Sequence, residues 1–313
     1  MLLKKSLILI LLAGIYFFSF IPIPMLYESE RKNSDSLEKR NDIKPNAESD
    51  KDELEPIKIL IVPGHDEKSN GAKFGSLKES DMTLELGTQI FEKLKEDERY
   101  EVWITRDLLG YTPLFAEYFS ENKEAIISFT NEAKKKMKEK IEKGDFTDNS
   151  PEPIYVVTPD TGVKLYGINK WANENQIDIV VHIHFNDHTR KKKSTAGKYK
   201  GFAIYYPEEQ MPNYGKSLAF AKSIFGELST IYKTSDNVRE TGGLVANQDL
   251  IVLGSNETLF ASVGSVLIEY GYIYEFKDTA IREKAYENMT ERTIKGISDF
   301  FLRNSEGDIK KNN

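Results

Sequence analysis

The residues of this sequence that could do chemistry are few: four histidines and a small set of glutamates that interrupt apolar runs. His65 follows such a run in Val62-Pro-Gly-His65, where a Pro-Gly turn delivers the imidazole to the rim of a sheet. His182 and His184 lie in VVHIHF at the end of another run. A side-chain period of two puts both on one face, so spacing alone leaves open which of them would ligate a metal. Glu79, in SLKESD, stands where a loop passes into a helix, and Glu269 interrupts the apolar run LIEY. A charge there has no structural excuse unless it faces a site. One histidine alone is more often a satisfied polar residue than a ligand. Two imidazoles and a carboxylate at the ends of neighbouring elements match the ligand set of catalytic zinc, with a fourth position left for water. The chain has no cysteine, which excludes disulfides, thiolate ligands and cysteine nucleophiles.

Those residues need elements to hold them. The β-branched run at 57–63 predicts a buried strand, and the spacing of Leu84, Leu86, Ile90, Phe91 and Leu94 predicts a helix over 80–94. Further strands are expected at 100–105, 177–185, 202–206 and 263–270, and helices at 165–175, 214–232 and 278–302. Strands alternating with helices imply an α/β layered domain with a largely parallel sheet. Its site belongs at the carboxyl ends of the strands. One segment breaks the rhythm, an insertion over about 108–164. Within it, 121–144 carries Ile126, Phe129, Ala133, Met137 and Ile141 on one face, with acids leading, lysines trailing and Gly144 as a stop. It reads as a packed surface helix or as a gate or partner-docking arm.

The termini read differently. Residues 6–27 carry no charge, and these 22 residues reach about 33 Å as a helix, against a bilayer core of about 30 Å. Lys4 and Lys5 orient the segment with the rest of the chain outside the cytoplasm. The run is long and lacks an A-x-A-like cut site, so a retained anchor is favoured over a cleaved signal peptide, with secretion as the alternative. Residues 28–56 hold almost nothing apolar and suit a disordered charged spacer. The catalytic domain is expected at 57–304, followed by a polar tail at 305–313. Lys+Arg 43 against Asp+Glu 50 gives a net charge of −7, which disfavours nucleic acid as a partner.

Seven segments then run in one order: IVPGHD at 61–66, GAKFGSLKESD at 71–81, VWITRD at 102–107, WANENQIDIVVHIHFND at 171–187, KGFAIYY at 200–206, LIVLGSN at 250–256 and VLIEYGYIYE at 266–275. In these the sequence resembles the zinc-dependent N-acetylmuramoyl-L-alanine amidases that cut bacterial cell wall. The resemblance implies an α/β fold: a single twisted, mostly parallel sheet of about six strands with helices on both faces. It also implies Zn²⁺ as cofactor and peptidoglycan as substrate. Residue by residue, it makes His65 and Glu79 zinc ligands. It gives His184 the ligand position of His-aliphatic-His-x-Asn, with His182 where Ser is usual. Glu269 matches the catalytic glutamate of E-x-G-[FY], and Asn186 a site-lining asparagine. A zinc ion held by two imidazoles and one carboxylate would keep a net positive charge and acidify its water, with Glu269 as the base.

Two departures stand out. Asp66 replaces the glycine that often follows the first histidine, and the 108–164 insertion is longer than the family's usual connection. They bear on substrate range and regulation, including gating or an activator, more than on the reaction. Arg239 and Glu240, in a Gly-rich loop, and His188, in a polar loop, are weaker candidates for lining the substrate groove. The basic run 190–193 suits a solvated loop or an anionic glycan or lipid, and Tyr270 and Tyr272 suit packing or stacking on a sugar. Alternatives to the wall amidase are a zinc amidase or peptidase on soluble muropeptides or other peptides, and a catalytically silent wall-binding module. A silent module would have no need of Glu269.

Overall fold

The computed structural model describes residues 55–149, 157–190, 192 and 194–311, with side chains described as far as Arg303. The apolar stretch 1–27 and the spacer as far as residue 54 lie outside the described residues. Among the described residues no helix is long and apolar enough to cross a membrane.

Alternation along the strands builds the centre of the fold. In β1 (Ile57–Pro63), Ile59 and Ile61 enter one core cluster while Leu60 and Val62 enter another. A strand buried on both faces is what a parallel sheet between helical layers requires. A short hairpin follows, β2 (Lys73–Phe74) with β3 (Leu77–Lys78), then α1 (Glu79–Lys95), β4 (Tyr100–Ile104) and a second hairpin, β5 (Arg106–Asp107) with β6 (Gly110–Tyr111). Next come α2 (Pro113–Glu121), α3 (Lys123–Lys143), α4 (Pro159–Glu174), β7 (Ile179–Asn186), β8 (Ala203–Pro207), α5 (Tyr214–Leu228), β9 (Leu244–Asn247), β10 (Gly264–Tyr272) and α6 (Thr279–Lys311). The six-stranded sheet has the order β4-β1-β7-β10-β8-β9. Every neighbouring pair is parallel except β10 with β8, which is antiparallel.

Helices cover both faces. Leu86 and Ile90 of α1, Phe220 and Ile224 of α5 and Met289 and Ile297 of α6 pack on the side of Ile59, Ile61 and Val181. Phe115 and Phe119 of α2, Ile126 of α3 and Tyr166 and Trp171 of α4 pack on the side of Leu60, Val62 and Val180. The insertion is therefore partly core. Its amphipathic helix, α3, stops at Gly144 as its pattern predicts but begins at Lys123 rather than 121, since α2 runs on to Glu121, and the apolar face is unevenly used. Ile126 and Met137 are buried, whereas Ile141 is exposed. The far end of α3 rests on Met211 through Met137, and Lys140 pairs with Glu257 at 2.5 Å. Met211 follows β8 and Glu257 precedes β10, so both belong to connections leaving from the sheet end opposite the carboxyl ends of β1, β7 and β10.

Several boundaries differ from the sequence expectation. Helix α4 starts at Pro159, ahead of residue 165, because the Thr158 side chain accepts from the Thr161 N–H and Pro159 occupies the first turn. Helix α5 stops at Leu228, short of residue 232, and α6 runs past 302 to Lys311. Strand β9 and helix α2 are additional elements. The four residues of β9, LVAN, are too short and mixed to show a period.

Candidate active site

The carboxyl ends of β1 and β7 and the start of α1 meet at Glu79. This carboxylate is buried and takes four donors, two on each oxygen. Oε1 faces His184 Nδ1 at 3.0 Å and accepts from the Phe185 N–H at 3.1 Å. Oε2 faces His65 Nε2 at 3.1 Å and accepts from the Ala72 N–H at 2.8 Å. The three side chains each offer one ligand atom within 4.8 Å of the others. Burial alone pushes the Glu79 carboxyl up, but the hydrogen bonds from His184 and His65 outweigh it and hold it well below the usual carboxylate range. Burial likewise pushes His184 below its ordinary value, with Glu79 offsetting only part. An ionised carboxylate and a neutral imidazole are the forms that bind a metal.

The backbone around this cluster has been cleared for it. His65 itself adopts φ 63°, a left-handed conformation uncommon for a residue with a side chain. A Cβ on Gly64 would lie 2.3 Å from His184 Cε1. One on Gly71, whose φ is 65°, would lie 2.3 Å from Glu79 Oε2 and 2.5 Å from His65 Cδ2. Nitrogen and oxygen donors brought together by such glycines fit a divalent cation of the zinc type.

Arg106 fastens the two ends that carry His65 and Glu79. Its buried guanidinium donates to the carbonyls of Pro63 at 3.3 Å, Gly64 at 3.2 Å and Ser80 at 3.0 Å. The Thr83 hydroxyl adds a bond to the Gly64 carbonyl at 2.7 Å. Asp66 accepts from the N–H groups of Lys68 at 2.9 Å and Ser69 at 2.8 Å, closing the turn after His65. Lys164, from α4 at the close of the insertion, reaches Asp66 at 3.5 Å and Asp160 at 3.0 Å. The extra negative charge beside the ligands thus has a cation of its own.

Glu269 lies in β10 directly opposite His184, in parallel register, with Ala203 of β8 on its other side. Its Oε2 is shielded from solvent and has no hydrogen-bond partner. Burial raises this carboxyl, and the negative charges of Glu79 and Glu240 push it further, far above the ordinary range. His182, one pleat back along β7, is fully buried with neither ring nitrogen partnered. Burial and His184 push it down to about 3, which keeps it neutral. Only His184 of the pair joins Glu79 and His65.

A family model described as N-acetylmuramoyl-L-alanine amidase matches residues 59–299, enclosing all four residues. The chain belongs to that family. The amidase shares its fold with the CwlD amidase of Clostridioides difficile, solved in complex with the GerS lipoprotein. The TM-score is 0.51 at 18% identity, with 79% of this chain and 98% of that one covered. An N-acetylmuramoyl-L-alanine amidase of Clostridium difficile 630 gives 0.48 at 17% identity, covering 79% and 97%. The catalytic domain of CwlV from Bacillus (Paenibacillus) polymyxa gives 0.47 at 18% identity, covering 78% and 98%. No curated protein matches the amidase.

The other candidates lie outside the His65–Glu79–His184 cluster. Asn186, at the end of β7, donates to Glu240 at 2.5 Å. Arg239 stands exposed on the turn Val238–Glu240, beside Glu240. His188 sits outside the cluster, its ring edge-on to Tyr199 at 4.6 Å. Tyr270 and Tyr272 are buried, which removes the expectation that they stack on a sugar. Arg190, of the basic run, bonds Asp187 at 2.8 Å and the Lys73 carbonyl at 2.7 Å, tying its loop to the β2–β3 hairpin. The sequence pattern gives Arg106 no role, because VWITRD signals only a strand. Glu240, a weaker candidate for the groove, is instead buried and accepts from Asn186.

Proposed function

We propose that this amidase is a membrane-tethered zinc hydrolase of peptidoglycan that cuts the amide between the lactyl group of N-acetylmuramic acid and L-alanine. The observation that carries this reading is the convergence of His65, Glu79 and His184, ligand atoms within 4.8 Å, with Glu269 abreast of His184. Those three side chains would hold the ion. Zinc bound there supplies Lewis acidity, polarising a carbonyl oxygen and acidifying a water.

The rest is the work of the chain. The N–H groups of Ala72 and Phe185 orient the two oxygens of Glu79. The unpartnered Oε2 of Glu269 takes the proton of the attacking water and passes it to the departing nitrogen. The left-handed turn at His65, fastened by Arg106, fixes the direction from which that imidazole approaches. The uncharged run at 6–27 and the polar spacer at 28–56 suit an anchor that leaves the catalytic part outside the cytoplasm.

Mass spectrometry of products from purified peptidoglycan incubated with the zinc-loaded protein tests the reaction. Release of stem peptides with a free L-alanine amino terminus, leaving intact lactyl carboxylates on the glycan, is expected. Cleavage elsewhere, or on soluble muropeptides alone, overturns the proposed substrate. Fractionation of membranes from expressing cells, with intact mass of the product, tests the tether against a cleaved signal.

A further inference from the structure

Glu240 is a buried carboxylate that the hydrolysis above does not use. It is 2% exposed and collects four donors from four parts of the chain. Oε1 accepts from Asn186 Nδ2 at 2.5 Å and from the Tyr205 hydroxyl at 2.8 Å. Oε2 accepts from the Tyr272 hydroxyl at 3.1 Å and from the Ser235 hydroxyl. The amide of Asn186 presents its NH₂ group to this carboxyl oxygen, as the acceptor requires. That decides the orientation of Asn186: Nδ2 turns to Glu240, and Oδ1 is directed elsewhere. Among the described hydrogen bonds Oδ1 receives none, and Asn186 is only half-buried. It lies two residues beyond His184, one pleat repeat and about 7 Å further along the same face of β7.

We propose that Glu240 fixes Asn186 as an acceptor for an amide N–H of the substrate, so that the pair selects molecules carrying that donor beside the scissile bond. This rests on the peptidoglycan amidase reading. There the scissile amide is flanked by two further amide N–H groups, the acetamido group of the sugar and the peptide bond after L-alanine. Glu240 is then a positioning residue and Asn186 the group that meets substrate. The hydroxyls of Tyr205, Tyr272 and Ser235 fill the other lone pairs of Glu240, which leaves it no freedom to release the asparagine.

The test uses the full-length zinc-loaded protein and three muramoyl dipeptides: the parent, one N-methylated at the acetamido nitrogen, and one N-methylated at the amide after L-alanine. Each methyl removes one donor and spares the scissile bond. One methylated analogue is expected to fall about tenfold in kcat/KM relative to the parent, the worth of one hydrogen bond. That ratio should collapse toward one in Asn186→Ala and in Glu240→Gln. Asn186→Asp sets two carboxylates against each other and should also lose it. Adding Glu240→Gln to Asn186→Asp restores a donor–acceptor pair and should bring the ratio back. A purely structural role for Glu240 would change thermal stability and overall rate while leaving the ratio intact, and an unchanged ratio in all variants overturns the proposal. The side-chain amide resonances of Asn186 give a readout that needs no activity. They are expected to be shifted downfield and slow to exchange in the wild type, and to lose both properties in Glu240→Gln. Insensitivity to that substitution also overturns the proposal. Failure of the wild type to release stem peptides from purified peptidoglycan defeats the amidase reading instead, with the resonances still deciding the pairing.

Discussion

Glu79 and Glu269 are the same side chain placed on either side of one strand end, and their surroundings are opposites. Around Glu79, two imidazoles and two backbone N–H groups use both oxygens, and the carboxyl is held ionised. Around Glu269, Oε2 has no donor, and two negative neighbours push the carboxyl far above its usual range. Groups of one type driven apart in this way suit the division of labour proposed above, one side chain to hold charge and the other to move a proton. The first region is a socket made rigid by Arg106, Gly64 and Gly71. The second is left unsatisfied, and an unsatisfied buried acceptor persists only where something else in the fold insists on it.

Substitutions that exchange or blunt these roles sharpen the contrast. The largest effect is expected from Glu269→Gln, which should lower stem-peptide release about a thousandfold or more. Zinc content measured by plasma mass spectrometry should stay at that of the wild type. Near-normal release would remove Glu269 as the base. Next, Gly64→Ala places a methyl 2.3 Å from the His184 ring. Zinc affinity, read by competition with a chromophoric chelator, should fall about ten- to a hundredfold, the scale at which misplaced ligand support is felt. Unaltered affinity would mean that the socket is softer than its geometry.

The two carboxyls should also pull the stability of the zinc-free protein in opposite directions with pH. Glu79 is depressed on folding, so its contribution is present above the unfolded value of about 4.3 and is lost as pH falls through the folded value. Glu269 is raised, so its contribution is present below about 4.3 and is lost as pH rises through the folded value. Each contributes a slope of about 1.4 kcal/mol per pH unit between its two values. In urea titrations across pH, Glu269→Gln should remove the decline toward neutral pH, and Glu79→Gln the decline toward acid. Parallel curves for the two variants would erase the distinction. The smallest effect belongs to the insertion. Lys140→Ala should cost about 1 kcal/mol, as a half-buried ion pair at the surface does, with zinc affinity and rate unchanged. A change in rate would give α3 a gating role that its contacts with Met211 and Glu257 do not suggest.

His65, Glu79, His184 and Glu269 were legible because polar residues at the ends of apolar runs are conspicuous, and a metal demands particular types. The sequence pattern also located the central strands and the bounds of α3 with little error. Arg106 and Glu240 were not legible in the same way. Arg106 bonds carbonyls of Pro63, Gly64 and Ser80, residues far away in the chain, and Glu240 collects Asn186 and Tyr272 from other strands. In a chain rich in charge, such residues look like solvated surface until tertiary packing buries them. The same holds for α3, where periodicity named the apolar face but could not say that Met137 would find a partner and Ile141 would not.

The reversal of β8 against β10 has an evolutionary consequence. The chain leaves β7 after Asn186 and rejoins the sheet at Ala203, opposite Glu269, at the same end. While Arg190 keeps its bond to the Lys73 carbonyl, lengthening or shortening the rest of that connection reroutes no strand. Descendants of this chain are therefore free to remodel that rim of the sheet while His65, Glu79 and His184 keep their places.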